Sequence, residues 1–429
     1  MEFLHTFYVF PCTPRPVPVT GSRVQARYNE HLSKNISTGV ARMKILLLGV
    51  GLQGKAALYD LARSPDVSHV IAADADIRGL TAFAASLPPD KVTCVALDAR
   101  NEQAVSRLMQ QAEAVIVLLP AAFRAPMARL AVENRVHFVD ASYTHSAYEE
   151  LDEPARQVGV AILPEFGLDP GIDHILAARA LSAFDEVHEF HTYGAGIPAP
   201  AASHNPIRYK ISWTFAGVLN SYSRPARLWR DGRPQPVAPS ELFHPANVHH
   251  VNVEGFGPLE AYPNGDVVPY LELLGIAGQV QNAGRYSMRW PGHADFWGKL
   301  SALGLLDDEP VPAGGGRVSP RQFLHDLLAP QLQYAPGERD AVIVRVEVRG
   351  RSAGRPKRVV YQVVDYRDLD TGFLAMQRTV GFTASIGAQM ILRGDIAARG
   401  LLSPLQHVPP QPFLEELSRR GIQVECWSD

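Results

Sequence analysis

Cysteine is scarce: the 429 residues hold three, Cys12, Cys94 and Cys426, far apart and in no CxxC or Cys/His spacing. Neither a disulfide framework nor a structural zinc site is indicated, and a reducing, cytoplasmic setting follows. Long apolar runs are missing as well; none approaches the roughly eighteen residues of a membrane span. Net charge is nearly absent, 41 basic against 44 acidic residues giving -3. That balance argues against nucleic-acid or anionic-membrane partners and for a small-molecule ligand. No HExxH and no GxSxG elbow occurs, so hydrolase readings lose support. His249-His250 has no third ligand at useful spacing and reads as a loop pair, with no metal site. No internal repeat or low-complexity tract is found.

What is present is enough apolar residue, 46%, to bury a full core in two or three domains. Residues 1–42 stand apart. Phe3 to Phe10 is aromatic and short, Pro11, Pro14, Pro16 and Pro18 break any helix, and Arg15, Arg23, Arg27, Lys34 and Arg42 make the rest basic. Glu2 precedes the apolar stretch, where a signal peptide would carry a basic start. This segment reads as a disordered N-terminal extension, with a transit-like segment as the alternative.

From Met43 strand-like and helix-like segments alternate: Lys44–Leu48, Leu52–Arg63, His69–Ala73, Arg78–Leu87, Val92–Leu97, Gln103–Gln111, and onward to an apolar run at Val158–Leu163. Such alternation predicts βαβ units, right-handed crossovers and a parallel sheet, hence an α/β Rossmann-type doubly wound domain over 43–168. After Ala183 the rhythm changes to strands with long connections, including a hairpin from Ala341–Arg349 to Arg358–Tyr366. Residues 169–370 are therefore expected to form a mixed α+β substrate domain on a largely antiparallel sheet. Asp307–Pro320 reads as a flexible excursion, and the apolar helix pattern Phe382–Leu392 places 371–429 back on the first domain.

Gly49-Val50-Gly51-Leu52-Gln53-Gly54 follows an apolar strand and opens a helix, the context in which GxGxxG binds a dinucleotide. The first glycine allows the tight turn, the second the approach of the pyrophosphate, the third close packing of helix on strand. Asp74 ends the second strand, where a carboxylate accepts from both ribose hydroxyls and repels a 2′-phosphate. NAD is favoured over NADP, although Arg78 turned toward that phosphate would admit NADP. Leu119 closes the fourth strand, where the chain passes the nicotinamide ribose. Gly49, Gly51, Leu52, Gln53, Gly54, Asp74 and Leu119 are the cofactor-binding candidates.

Polar groups also fall at the C-terminal ends of later strands: Ser142 and Tyr143, then Glu165 and Asp169. Asp169 also suits a helix N-cap, with Pro170 behind it. In the second half, Asn205 to Thr214 gathers Arg208, Tyr209, Lys210 and Trp213, a cluster suited to carboxylate recognition, and Arg289 is a further cation candidate.

Several runs then resemble the saccharopine dehydrogenase family. They are Ala141-Ser142-Tyr143, the stretch Glu165-Phe166-Gly167-Leu168-Asp169-Pro170-Gly171-Ile172-Asp173-His174, Gly196-Ile197-Pro198-Ala199-Pro200, the Asn205 to Trp213 cluster, Ala261-Tyr262-Pro263-Asn264, and Arg289-Trp290-Pro291-Gly292-His293. The likeness is to glutamate-forming saccharopine reductases, with lysine 6-dehydrogenase as a near relative. It implies reversible hydride transfer at the CH–N group of an amino acid, with Asp169, Tyr143 and Lys210 as acid/base candidates. Ser142, Arg208, Tyr209, Trp213 and Arg289 would line the substrate pocket. A homodimer is expected. Two departures stand out: Asp74 replaces the arginine usual in NADP-dependent saccharopine reductases, and Arg208 adds charge to its cluster. The alternatives are lysine 6-dehydrogenase-type oxidative deamination and a non-catalytic NAD-binding redox sensor.

Overall fold

A computed structural model describes Met43–Asp429; residues 1–42, with the extension expected there, lie outside the described residues. Six parallel strands, β1 (Met43–Leu48), β2 (Val67–Asp74), β3 (Val92–Ala96), β4 (Ala114–Val117), β5 (His137–Asp140) and β6 (Ala161–Leu163), lie in the order 3-2-1-4-5-6. A short strand from the far end of the chain, Gly400–Leu401, pairs parallel with β6 and makes the seventh. Near-continuous apolar sequence such as that of β4 is what a strand covered by helices on both faces requires. The order reverses between β1 and β4, so their C-terminal ends open the crevice in which such sheets take ligands.

The second sheet is built on β7 (Glu186–Pro198), β8 (Ala226–Arg230), β9 (Arg233–Val237), β10 (His249–Val253), β11 (Gly257–Pro263) and β12 (Asn282–Arg289). Asp340–Ser352, Arg355–Tyr366 and Val424–Ser428 complete its nine strands. Only the β12–β7 neighbours run parallel; the remaining pairs are antiparallel. Alternation along Asp340–Ser352 sets its two faces. Val342, Val344, Val346 and Val348 join the large core that also holds Ile45, Leu47 and Leu58, whereas Ala341 and Ile343 face a second core around Trp297.

Two details differ from the sequence reading. The hairpin strands run on to a two-residue turn, Ala353-Gly354, with φ of 51° and 73°. Positive φ at both positions matches the twist of the flanking strands, so the ladder extends through residues that looked like loop. The excursion at 307–320 carries a small exposed hairpin, Val311–Ala313 with Gly316–Val318.

The late apolar helix begins at Ala375, seven residues before Phe382, and ends at Arg393. Its first N–H groups are capped from a distant strand: Ala375 and Met376 donate to the Asp340 carboxylate at 2.8 and 3.2 Å. The helix lies against Leu52–Arg63, the helix of the glycine motif. Gly381 sits at the crossing, where a Cβ would come within 2.8 Å of Ala56 Cβ. Gln377 Nε2 donates to the Leu52 carbonyl at 2.9 Å and Ser385 Oγ to Asp60 at 2.6 Å.

Candidate active site

The glycine loop forms a cradle with room in front of it. Gly49 takes φ of +88°, and a Cβ there would meet the Leu118 carbonyl oxygen at 2.7 Å; one on Gly54 would overlap the Gly49 carbonyl. At Gly51, by contrast, an added Cβ has nothing within 4 Å. Gly51 is the N-cap of Leu52–Arg63, with no side-chain cap and no acidic residue in the first turn. Free N–H groups, a positive helix end and open space are what a pyrophosphate needs, so the residues fit a dinucleotide. Asp74 stiffens the loop: Oδ2 accepts from Val50 N at 2.6 Å and Oδ1 from Asp76 N at 2.8 Å. Asp76 itself caps the next helix through Gly79 N. The second lone pair on each Asp74 oxygen stays open to ribose hydroxyls.

Beyond the loop, a cavity of about 570 Å³ lies between the two sheets. The first domain contributes Gln53, Leu118–Pro120, Arg124 and Asp140–Tyr143; the connection after β6 adds Leu168, Asp169 and Pro170. From the second domain come Gly194–Gly196, Trp213, Thr214, Ser221, Arg224, Asn264, Ser287 and Arg289, and the helix Ala375–Arg393 adds Met376 and Val380. Of the residues expected from sequence, Gln53, Leu119, Ser142, Tyr143, Asp169, Trp213 and Arg289 stand on this wall, and Gly49, Gly51, Leu52, Gly54 and Asp74 form the adjoining cradle.

Arg208, Tyr209 and Lys210 do not line this cavity, in contrast to Trp213 and Thr214 of the same cluster, which corrects the expectation for those three residues. Lys210 is paired with Glu338 and lies 5.8 Å from the Tyr334 ring; Arg208 lies 4.3 Å over Trp290. Tyr209 is buried in the second core. Glu338 takes up the Lys210 charge, and the Trp290 ring holds the Arg208 guanidinium. Arg289 keeps its place: it is buried, donates to the Met288 carbonyl at 2.8 Å, and its Nε has no hydrogen-bond partner.

Behind Asp169 lies a buried ionic network. Arg285 of β12 pairs with Asp169, stands 3.0 Å from Asp173 Oδ2, and donates to His174 Nε2 at 2.9 Å. Tyr270 lies 4.8 Å from its guanidinium and Tyr143 5.7 Å. Burial pushes the His174 imidazole down to about 4, and Arg285 adds to that, against the pull of Glu165. A neutral ring accepting at Nε2 carries its proton on Nδ1, which faces Glu165 Oε2 at 3.3 Å. Burial also raises both Asp169 and Asp173, with Arg285 opposing. Two acids therefore share one arginine in a poorly hydrated place, where a second full negative charge is costly. Burial pushes the Tyr143 phenol up to about 12, so it stays protonated and acts as a donor.

Residues that the sequence reading did not single out also reach the cavity: Arg124, Asp140, Arg224 and Ser287, with Asn264 known only as part of a motif. Asp140 is the last residue of β5 and obeys the same strand-end logic that selected Ser142. Arg224 lies in a loop with no local signal.

Two family models cover this arrangement. Residues 45–163 match the Saccharopine dehydrogenase NADP binding domain, and residues 167–422 match the Saccharopine dehydrogenase C-terminal domain. The chain belongs to the saccharopine dehydrogenase family. It is 28% identical to the mitochondrial alpha-aminoadipic semialdehyde synthase of Mus musculus over 89% of this chain and 47% of that protein. The chain thus spans about half the length of that relative. Against saccharopine dehydrogenase [NADP(+), L-glutamate-forming] of Pyricularia oryzae it is 28% identical over 78% of this chain and 88% of the other. The fold matches that of apo saccharopine dehydrogenase (L-Glu forming) from Saccharomyces cerevisiae, with a TM-score of 0.79, 24% identity, and coverage of 90% of this chain and 100% of that one. Among the described residues, no helix is long and apolar enough to cross a membrane.

Proposed function

We propose that this chain is a nicotinamide-dependent oxidoreductase that moves hydride at the CH–N carbon of an amino acid, in saccharopine-type amine–imine interconversion. The observation that carries it is the cavity between the sheets, where the dinucleotide cradle opens onto a wall holding Asp169, Tyr143 and Arg289. A bound nicotinamide supplies or accepts the hydride. The protein's part is orientation: Arg289 holds a substrate carboxylate by a charge-assisted pair, and the two domains enclose the reacting carbon and limit water to the molecule that adds to or leaves the imine. Asp169 exchanges the amine proton. Its carboxyl reaches the cavity while Arg285 favours its charged form and burial and Asp173 favour its neutral form, which suits a group that must both take and return a proton. Tyr143 donates to the same region. Lys210, held by Glu338, drops out of the acid/base set.

NAD is the proposed cofactor, because Asp74 stands where a 2′-phosphate would sit. The rival within the family, lysine 6-dehydrogenase-type oxidative deamination, shares that preference. Oxidation of NADH with α-aminoadipic semialdehyde plus glutamate, set against reduction of NAD with lysine, separates the two. Turnover in neither assay rejects both substrate assignments, and tight cofactor binding without hydride transfer from any amino acid to NAD would favour the redox-sensor alternative. A homodimer and a cytoplasmic setting complete the reading. Phe323 and Leu327, exposed at i, i+4 on the helix Pro320–Leu328, support the first, and the scarcity of cysteine in the sequence the second. Sedimentation and fractionation test them.

A further inference from the structure

Arg124 opens the helix Arg124–Glu133, a few residues beyond the end of β4, and reaches the cavity from the cofactor side. Its charge is little used inside the protein. Nε is buried and has no hydrogen-bond partner, and the ion pair it does make, to Asp140 Oδ1, is 3.8 Å long. That distance is beyond a hydrogen bond. No other hydrogen bond from this guanidinium is found among the described residues. An arginine with five N–H donors in a planar fork is matched to a carboxylate, and leaving the buried Nε donor unmet is costly.

Asp140 does not meet that need, because its nearer oxygen stands 3.8 Å from Nε and each of its oxygens is already drawn to another donor. Oδ2 accepts from the Tyr148 hydroxyl at 3.1 Å and Oδ1 from Ser142 N at 3.1 Å. The Tyr148 side chain is itself buried, packed edge-on against Phe138 at 5.7 Å, so the Asp140 carboxylate is fixed from behind. Asp140 and Tyr148 thus set the direction of Arg124 without consuming it. The opposite wall repeats the situation. Arg289 has a buried Nε without a partner, and Arg224 is exposed, with no ion pair among the described residues. Buried Nε atoms without hydrogen-bond partners thus belong to cavity-lining arginines of both domains, Arg124 and Arg289, although Arg289 also donates to the Met288 carbonyl.

We propose that Arg124 is a carboxylate-binding residue of the first domain, positioned by Asp140 and Tyr148, and that the ligand carries two carboxylates and spans from Arg124 to the Arg289 side. This rests on the function proposed above only in taking the ligand to be the substrate; the binding claim stands alone. A substrate gripped by both domains draws them together, which couples its length to closure of the cleft.

The test is calorimetric titration of glutarate, a plain dicarboxylate, into the protein–NADH complex, beside NADH titration of the protein alone. Arg124→Met is expected to weaken glutarate by about tenfold or more, the size of a lost charge-assisted pair, while NADH affinity stays within about twofold. Arg124→Lys keeps the charge without the fork and should fall between wild type and Arg124→Met. Tyr148→Phe, which removes only the hydroxyl on Asp140, is expected to weaken glutarate about threefold with NADH unchanged. Equal glutarate affinity in wild type and Arg124→Met overturns the proposal. So does an absence of glutarate binding to wild type at millimolar concentration, and so does a loss of NADH affinity that accounts for the whole effect. If Arg124→Met loses glutarate but wild type transfers no hydride with any amino acid tried, the oxidoreductase reading fails and the assignment of Arg124 stands.

Discussion

The three glycines of the cofactor loop should fail in different ways when each is replaced by alanine, and Gly51 gives the sharpest case. Its backbone sits at φ -70°, ψ -151°, open to any residue, and an added Cβ touches nothing within 4 Å. Alanine is a poorer N-cap than glycine by some tenths to about 1 kcal/mol. The unfolded chain, losing the freedom of glycine, gives back about 0.4–1 kcal/mol. Stability should therefore stay within about 1 kcal/mol of wild type. The same methyl projects into the space left for a pyrophosphate, so NADH affinity should fall by about tenfold to a hundredfold, roughly 1.4–2.7 kcal/mol. Gly54→Ala reverses the pattern. Its Cβ overlaps the Gly49 carbonyl, and forcing the loop off its helix costs at least the roughly 1–3 kcal/mol of an overpacked core. Gly49→Ala adds about 1–2 kcal/mol of left-handed strain to a 2.7 Å contact with the Leu118 carbonyl. Urea midpoints and fluorescence titration of NADH measure both quantities. If Gly51→Ala is destabilised as much as Gly54→Ala, or keeps full NADH affinity, the cradle has been assigned wrongly.

Asp74→Ala should weaken NADH and narrow its advantage over NADPH; because Oδ2 also holds Val50 N at 2.6 Å, some loss for both cofactors is expected. An unchanged NADH/NADPH ratio would refute the role given to Asp74. Arg285→Met leaves Asp169 and Asp173 buried without their cation and should cost about 3–5 kcal/mol in urea unfolding, partly recovered by adding Asp173→Asn; a cost below about 1 kcal/mol would show that the network is better hydrated than its burial implies. Asp140, 1% exposed, has its carboxyl raised to about 6 by burial, with Arg124 opposing. The folded state then holds this proton more tightly than the unfolded chain at about 3.9. The penalty is absent below about pH 4 and grows as pH rises through about 6, reaching about 3 kcal/mol. Asp140→Asn should remove that part of the pH dependence; parallel stability curves for both proteins between pH 4 and 7 would count against it.

The first sheet was legible because its signals are local. Apolar runs, the glycine motif and Asp74 sit within 32 residues of one another, from Met43 to Asp74, and each follows from backbone geometry. Strand-end logic likewise picked out Ser142, Tyr143 and Asp169, since parallel strands of one sheet deliver their C-terminal ends to one edge. What sequence could not show were partnerships formed across the chain. Lys210 and Arg208 look like free cations until Glu338 and Trp290 are brought to them. Arg285 carries no local signal, because its partner Asp169 lies 116 positions away. Arg124 gave no signal because its distinguishing property is a buried Nε without a hydrogen-bond partner, which only the fold reveals.

The helix Ala375–Arg393 shows why such distant contacts bear on function. Its N-terminus is held by Asp340, on an inner strand of the second sheet, while its flank is locked to the glycine-loop helix through Gly381 and Gln377. Met376 and Val380, between these anchors, form part of the cavity wall. Any change in the angle between the sheets must therefore be absorbed within this helix or at its cap. Burial raises the Asp340 carboxyl to about 6, against the two backbone N–H groups that favour its charge. A neutral carboxyl accepts those bonds less strongly. Asp340→Asn should accordingly lower substrate and NADH affinity together, because it loosens the element shared by both halves of the site, whereas a variant confined to one wall, such as Arg124→Met, lowers only one. If Asp340→Asn leaves both affinities at the wild-type level, the helix is a passive strut and closure is set elsewhere.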